Sequence, residues 1–273
     1  EVIGLAEKMS LAAVALTDHN IVNHINHCPD VPMTMLSGIE RGVLTMARVD
    51  EAITRILALK ASLGLWNKAK DAIIPPVEAT SCIGCAEHHA WARKCADEAI
   101  TLVKDTQNAL PLDPKKTPRI LLEVLGGCAS EKRIADYMTA LLEKEGFTVT
   151  LYEPEDFTHL EFKVESFHEK YDAVLYLGNV ENASNKTTAR INWHTLFGAG
   201  NNLPWFAKEV PTVFVSVGNP YHLYDVPMVP TYVNAYCHAP TVIDAAIDKV
   251  LGRSEFKGVS PVDPFCGCWD TRL

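Results

Sequence analysis

The run Ile120-Leu121-Leu122-Glu123-Val124-Leu125-Gly126-Gly127 leads into a segment headed by Ser130, and Thr148-Val149-Thr150-Leu151-Tyr152 follows it. The two outer runs are short and apolar, as strands are. Between them Ile134, Tyr137, Met138, Leu141 and Leu142 recur at three- and four-residue spacing, with Ser130 able to cap a helix and Gly146 able to close it. Strand, helix and strand make one βαβ unit. Ala173 to Leu177 and Thr212 to Val217 repeat the apolar strand pattern, and Thr241 to Leu251 is an amphipathic helix ended by Gly252. Strands that are apolar continuously, rather than at every second residue, belong to a mostly parallel sheet covered on both faces. Residues 118–273 are therefore expected to form a three-layer α/β sandwich.

Upstream, Leu11 to Leu16 reads as a strand ending in the polar cluster Thr17-Asp18-His19-Asn20. From Met46 to Leu63 the positions Val49, Ile53, Ile56, Leu57 and Leu63 predict a helix, with Thr45 as its cap, Asp50 and Glu51 in its first turn and Gly64 as its stop. Pro75-Pro76, Thr80-Ser81 and Gly84 mark an irregular crossing. A second helix is expected from about Glu87 to Lys104, with Trp91, Cys95, Ala99 and Leu102 on its packed face and Pro111 and Pro114 beyond it. The reading divides the chain into 1–64, a linker with a connecting helix over 65–117, and 118–273.

Of the 273 residues, 48% are hydrophobic and 22% charged, the profile of a globular chain with a substantial core. The net charge of −9 and the lack of any Lys/Arg-rich run argue against nucleic-acid or anionic-membrane partners, which reward a basic face. No apolar run is long enough to span a bilayer, and Glu1-Val2-Ile3-Gly4 lacks the features of a signal peptide. Eight cysteines are too dilute for a disulfide-stapled fold, so free thiols in a reducing cytoplasm are expected. The sequons at Asn182 and Asn185 carry no weight in that setting.

Several constellations could carry chemistry. Cys82-Ile83-Gly84-Cys85 with His88 has the residue types of a zinc site, but no second ligand pair stands at metal spacing, and Cys266-Gly267-Cys268 has a gap that suits zinc poorly. The reading is of no metal and no cofactor, with Cys82, Cys85 and His88 as the candidates that would overturn it. Gly126-Gly127, Gly178-Asn179 and Gly218-Asn219 each follow an apolar strand, which puts small and polar residues at the carboxyl edge of the sheet, where open α/β sheets bind ligands. Turn chemistry alone would also account for them. Asp18 with His19 is the acid/base pair of the first segment, and its competing reading is a polar strand cap. Glu181, in the loop after Gly178-Asn179, is the other carboxylate candidate, against a solvated loop.

The run Gly38-Ile39-Glu40-Arg41-Gly42, then Arg48-Val49-Asp50-Glu51-Ala52-Ile53 through Lys60, and Gly64-Leu65, resembles the last barrel helix of family 3 glycoside hydrolases. His89-Ala90-Trp91 through Lys104, followed by Leu110-Pro111-Leu112, is similar to the helix that enters the second domain of that family. Ser216 to Tyr221, Thr231 to Tyr236 and Ser260-Pro261-Val262 resemble that domain itself. The resemblance runs from about Ser10 to the C-terminus and leans toward the β-N-acetylhexosaminidase branch. It implies the end of a (β/α) TIM-type barrel before the sandwich, a carbohydrate substrate, and retaining hydrolysis of terminal β-linked N-acetylhexosamine. In that mechanism an Asp nucleophile and a general acid flank the glycosidic bond. The clamp and acid/base motifs of that branch are not found here, and Asp18 fits the strand end that follows the nucleophile, so it is not assigned the role. The β-glucosidase branch draws its acid/base Glu from the α/β domain, where Glu181 lies. This chain alone is expected to be inactive, with the rest of its own barrel as a missing partner; a β-glucosidase and a non-catalytic carbohydrate-binding or structural domain are the alternatives.

Overall fold

The computed structural model describes residues 36–69, 76–126, 131–153, 161–181, 190–193, 195–196, 199–200 and 202–268. The chain divides into two compact units, Glu1–Cys82 and Ile83–Leu273. The strand expected over Leu11–Leu16 lies outside the described residues.

In the first unit, helix α1 spans Met46–Ser62. Thr45 caps it, its side chain accepting from Arg48 N at 3.2 Å, and Gly64 ends it in a left-handed conformation at φ 64°. Asp50 and Glu51 stand one turn later than expected. Glu51 instead pairs with Arg55 one turn on, which suits solvent more than a helix dipole. Ile53, Ile56, Leu57 and Leu63 form an apolar stripe, yet no residue of α1 is buried.

The second unit opens with helix α2, Ala86–Ala99, and passes at once into strand β1, Thr101–Asp105. The expected helix through Lys104 is thus too long. Ile100, Thr101 and Val103 are β-branched, which disfavours helix, and β1 finds a partner strand elsewhere in the chain. The packed face is corrected too: Trp91 and Cys95 are exposed, whereas Ala96 and Ile100 are buried.

Then follow β2 (Arg119–Leu125), α3 (Glu131–Lys144), β3 (Thr148–Leu151), α4 (Val164–Lys170), β4 (Ala173–Gly178), β5 (Thr212–Ser216), β6 (Thr231–Asn234) and α5 (Pro240–Val250). A further two-residue ladder pairs Thr195–Leu196 with Ala199–Gly200. The strand order in the main sheet is β1-β6-β5-β4-β2-β3, with every pairing parallel except β1 on β6. The chain steps outward from β2 to β3, returns to the other side of β2 and continues through β4, β5 and β6. That reversal makes the fold doubly wound, with its switch point between β2 and β4.

Both faces of the sheet are covered. Ile120, Leu122, Val213 and Val215 share one core with α2, α3 and α5 through Ala96, Ile134, Met138, Ile243 and Ile247. Leu121, Val174, Tyr176 and Phe214 meet α4 and the loop segments that carry Phe206, Leu223 and Val226. This is the three-layer α/β arrangement. Strands β4 and β5 are buried at every residue, as central parallel strands should be. Each fully buried Leu, Ile or Met contributes about 1.5–3 kcal/mol in apolar transfer. Gly146 closes α3 at φ 97°, and Phe147 N reaches back to Leu142 O at 3.2 Å; Gly252 does the same for α5 at φ 71°. Lys249, on α5, is buried and donates to Asp97 on α2 at 3.0 Å, Ser254 Oγ at 3.3 Å and Glu255 O at 2.6 Å, which ties two helices to the closing segment.

Candidate functional site

The loops that leave β4, β5 and β6 meet at the carboxyl edge of the sheet. Two glycines allow them to come close. A Cβ on Gly178 would sit 2.7 Å from the Phe214 ring and 3.1 Å from His222 Nδ1, and one on Gly218 would sit 2.5 Å from Val180 O. Close backbone approach, and not turn conformation alone, is what these positions demand.

A buried polar network holds the approach. Val180 O accepts from Asn219 Nδ2 at 2.9 Å, and Nε2 of His222 lies 3.1 Å from the same carbonyl. Ser216 Oγ donates to Asn219 O at 2.7 Å and lies 2.9 Å from His222 Nδ1, while Asn219 Oδ1 accepts from Tyr221 N at 2.9 Å. His222 is only 1% exposed, and burial holds its pKa below the usual histidine range, so the ring is neutral in the folded state. Ser216 has a single proton and gives it to Asn219 O, so Nδ1 carries the ring proton and donates to Ser216 Oγ, while Nε2 accepts from Asn219 Nδ2 at 3.0 Å. The Ser216–His222 contact has the look of a nucleophile and its base, but Ser216 is fully buried. No substrate reaches it. The pair positions the loops instead.

What the network positions is Glu181, the residue after Val180. Its Oε1 lies 3.1 Å from Nδ1 of His238, which is carried on the loop after β6, and both side chains are partly exposed. The same edge carries Tyr236 in a left-handed conformation at φ 67°, its hydroxyl 3.0 Å from Thr101 Oγ1. Asn234 is 2% exposed, and its Oδ1 has no hydrogen-bond partner among the described residues. At the switch point, Asn179 N donates to Leu125 O at 2.6 Å. The edge therefore presents a carboxylate and an imidazole in contact. Such groups can bind sugar hydroxyls or exchange a proton with a bound molecule.

Of the residues singled out in the sequence, Glu181 is placed at this edge and Asp18 lies outside the described residues. Gly178-Asn179 and Gly218-Asn219 are brought together, while Gly127 lies outside the description. Cys82 ends a 3-10 turn, Val77–Cys82, and Cys85 precedes α2. His88, on the first turn of α2, accepts from Gly84 N at 3.3 Å and lies 5.5 Å from the Trp91 ring. Among the described residues no three His, Cys, Asp or Glu side chains are gathered as a metal ion would need. His222 and His238 were missed. Neither has a local signature: Glu181 and His238 are 57 residues apart and meet only because β4 and β6 flank β5.

No protein-family model matches the chain. A β-N-acetylglucosaminidase/β-glucosidase from Cellulomonas fimi is 41% identical over 247 residues, which is 88% of this chain and 43% of that protein. The solved structure of a β-glucoside phosphorylase, BglX, is 42% identical, with a TM-score of 0.68 over 88% of this chain and 42% of its own. The relatives and structural neighbours of this chain are glycoside hydrolase family 3 members. A β-glucosidase from Erythrobacter marinus, 19% identical with a TM-score of 0.50 over 82% of this chain and 36% of its own, shares the fold. The chain spans less than half the length of the Cellulomonas enzyme and of the phosphorylase. Among its described residues no helix is long and apolar enough to cross a membrane.

Proposed function

We propose that this chain is the C-terminal part of a retaining glycosidase acting on terminal β-linked sugars, with N-acetylglucosamine favoured over glucose. The observation that carries the reading is the extent of the match to the Cellulomonas fimi enzyme, which is named for both sugars. In the reaction an Asp attacks the anomeric carbon while a general acid protonates the leaving oxygen, and water then opens the glycosyl-enzyme. The chain alone is inactive in this reading, because the end of a barrel cannot close its sheet or assemble groups on both sides of the bond. Glu181 and His238 serve the reaction by hydrogen-bonding the sugar at the sheet edge. Changing Glu181 to Gln in the full-length protein lowers kcat/KM about ten-fold, mostly through KM, as expected for one charge-assisted hydrogen bond.

The kinship with a β-glucoside phosphorylase favours one second reading, in which phosphate takes the place of water and a sugar 1-phosphate is released. The test is turnover of aryl β-N-acetylglucosaminide and aryl β-glucoside by the full-length protein, with and without phosphate. Turnover in phosphate-free buffer supports hydrolysis, and the preferred substrate gives the branch. Turnover that depends on phosphate selects phosphorolysis. Sugar binding without turnover in either buffer sinks both and leaves a non-catalytic carbohydrate-binding domain.

A further inference from the structure

A cleft of the second unit, about 730 Å³, has β1 residues Thr101, Leu102 and Val103 on one wall and the closing segment from Gly258 to Phe265, with Gly267, on the other. That closing segment ends in a turn that carries two thiols. Asp263 organises it: Oδ1 accepts from Phe265 N at 2.9 Å and Oδ2 from Gly267 N at 2.6 Å, and Cys268 N donates to Phe265 O at 2.9 Å. Phe265 is buried and lies 5.6 Å from the Tyr224 ring, so the turn is anchored in the core. Cys266 and Cys268 are both exposed and free.

The backbone folds back between them. Cys266 and Gly267 are both left-handed, at φ 53° and 73°, and Cys268 Sγ comes within 3.7 Å of Cys266 O. An extended glycine would hold its neighbours' Cα atoms apart, whereas a helical or left-handed one draws them to about 5.5 Å, the commonest spacing of disulfide-linked residues. A Cβ on Gly267 would meet nothing within 4 Å, so its left-handed conformation, and not space, is what calls for glycine. Among the described residues of this unit, the other exposed cysteines, Cys95 and Cys237, have no second cysteine within two residues.

We propose that Cys266 and Cys268 form a dithiol–disulfide site at the rim of this cleft, oxidised by low-molecular-weight disulfides of the glutathione type. One thiolate attacks the sulfur–sulfur bond of glutathione disulfide, which breaks and releases one glutathione thiol. The resulting mixed disulfide is then attacked by the second protein thiolate, which expels the second glutathione thiol and closes the ring. Two S–H bonds give one S–S bond, and the two electrons reside in the two glutathione thiols.

The test uses the full chain incubated with oxidised glutathione, quenched with N-ethylmaleimide, digested and mapped by mass. The peptide holding both cysteines is expected to be two hydrogens lighter and to take no alkyl group. Cys266→Ser should stop at a single glutathionyl group on Cys268. Gly267→Val, which disfavours the left-handed turn, should close the ring roughly ten-fold more slowly. Alkylation of both cysteines, a separate glutathionyl group on each, or a bridge to any other cysteine overturns the proposal. Closure of Gly267→Val at the parent rate does so as well, since the turn would then play no part.

Discussion

Two residues at the heart of the second unit put the packing argument to a direct test. A methyl group at Gly218 has Val180 O in its place, a backbone atom that cannot swing aside. Gly218→Ala should therefore cost about 1–3 kcal/mol in denaturant unfolding and weaken the loop that carries Glu181. Glu123 points from β2 into the layer of Tyr176 and Phe214, is 1% exposed, and has an Oε2 without a hydrogen-bond partner among the described residues. Burial pushes its carboxyl well above the usual range, against the opposing pull of a hydrogen bond from Tyr176. A folded-state pKa above the unfolded one means that the native protein holds a proton the unfolded chain has released. Stability contributed below the ordinary Glu range is then lost as pH rises toward the folded value, by up to about 1.4 kcal/mol per pH unit. Glu123→Gln removes that slope. Its melting temperature should match the parent near pH 4 and exceed it by a growing margin toward pH 8. Equal margins at both pH values would mean that Glu123 ionises in the folded state as readily as in the unfolded one.

Between elements, the clearest dependence is on Lys249. Its ammonium is buried, satisfied three times over, and joins α5 to α2 and to the segment after α5. Lys249→Ala leaves Glu255 O without its donor and opens a cavity under Phe256, whose ring lies 5.8 Å from Nζ. The expected loss is about 3 kcal/mol, read from chemical unfolding. A loss below about 1 kcal/mol would mean that water takes over these bonds. Elements were legible to different degrees. The βαβ unit could be read because each of its pieces carries its own periodicity and its own stop, Gly146 above all. Strand β1 could not, since Thr101-Leu102-Val103-Lys104 follows α2 without a Gly or Pro break, and pairing with β6 decides its conformation. The spacing of Ile53, Ile56 and Leu57 made helix α1 legible, but helical spacing does not name what covers an apolar stripe.

For the molecule as a whole, the two-unit division leads to a separable expectation. Residues 83–273 contain both layers of core on either side of the sheet. Expressed by themselves, they should unfold in one cooperative transition, with a melting temperature within a few degrees of the same unit in the full chain. A broad transition with exposed apolar surface would show that this unit depends on what precedes it. The sequence by itself determined the class of this protein: apolar strands of period one, helices of period near four and their glycine stops all act over a few residues, and a chain carries such local signals without being folded. It also placed Glu181 in a loop at the end of a strand. Only the tertiary structure set Glu181 against His238, buried His222 as a neutral ring between two loops, and turned Gly178 and Gly218 from turn residues into points of close contact. Those outcomes depend on which strands lie side by side, and strand order is decided by the burial of both sheet faces together.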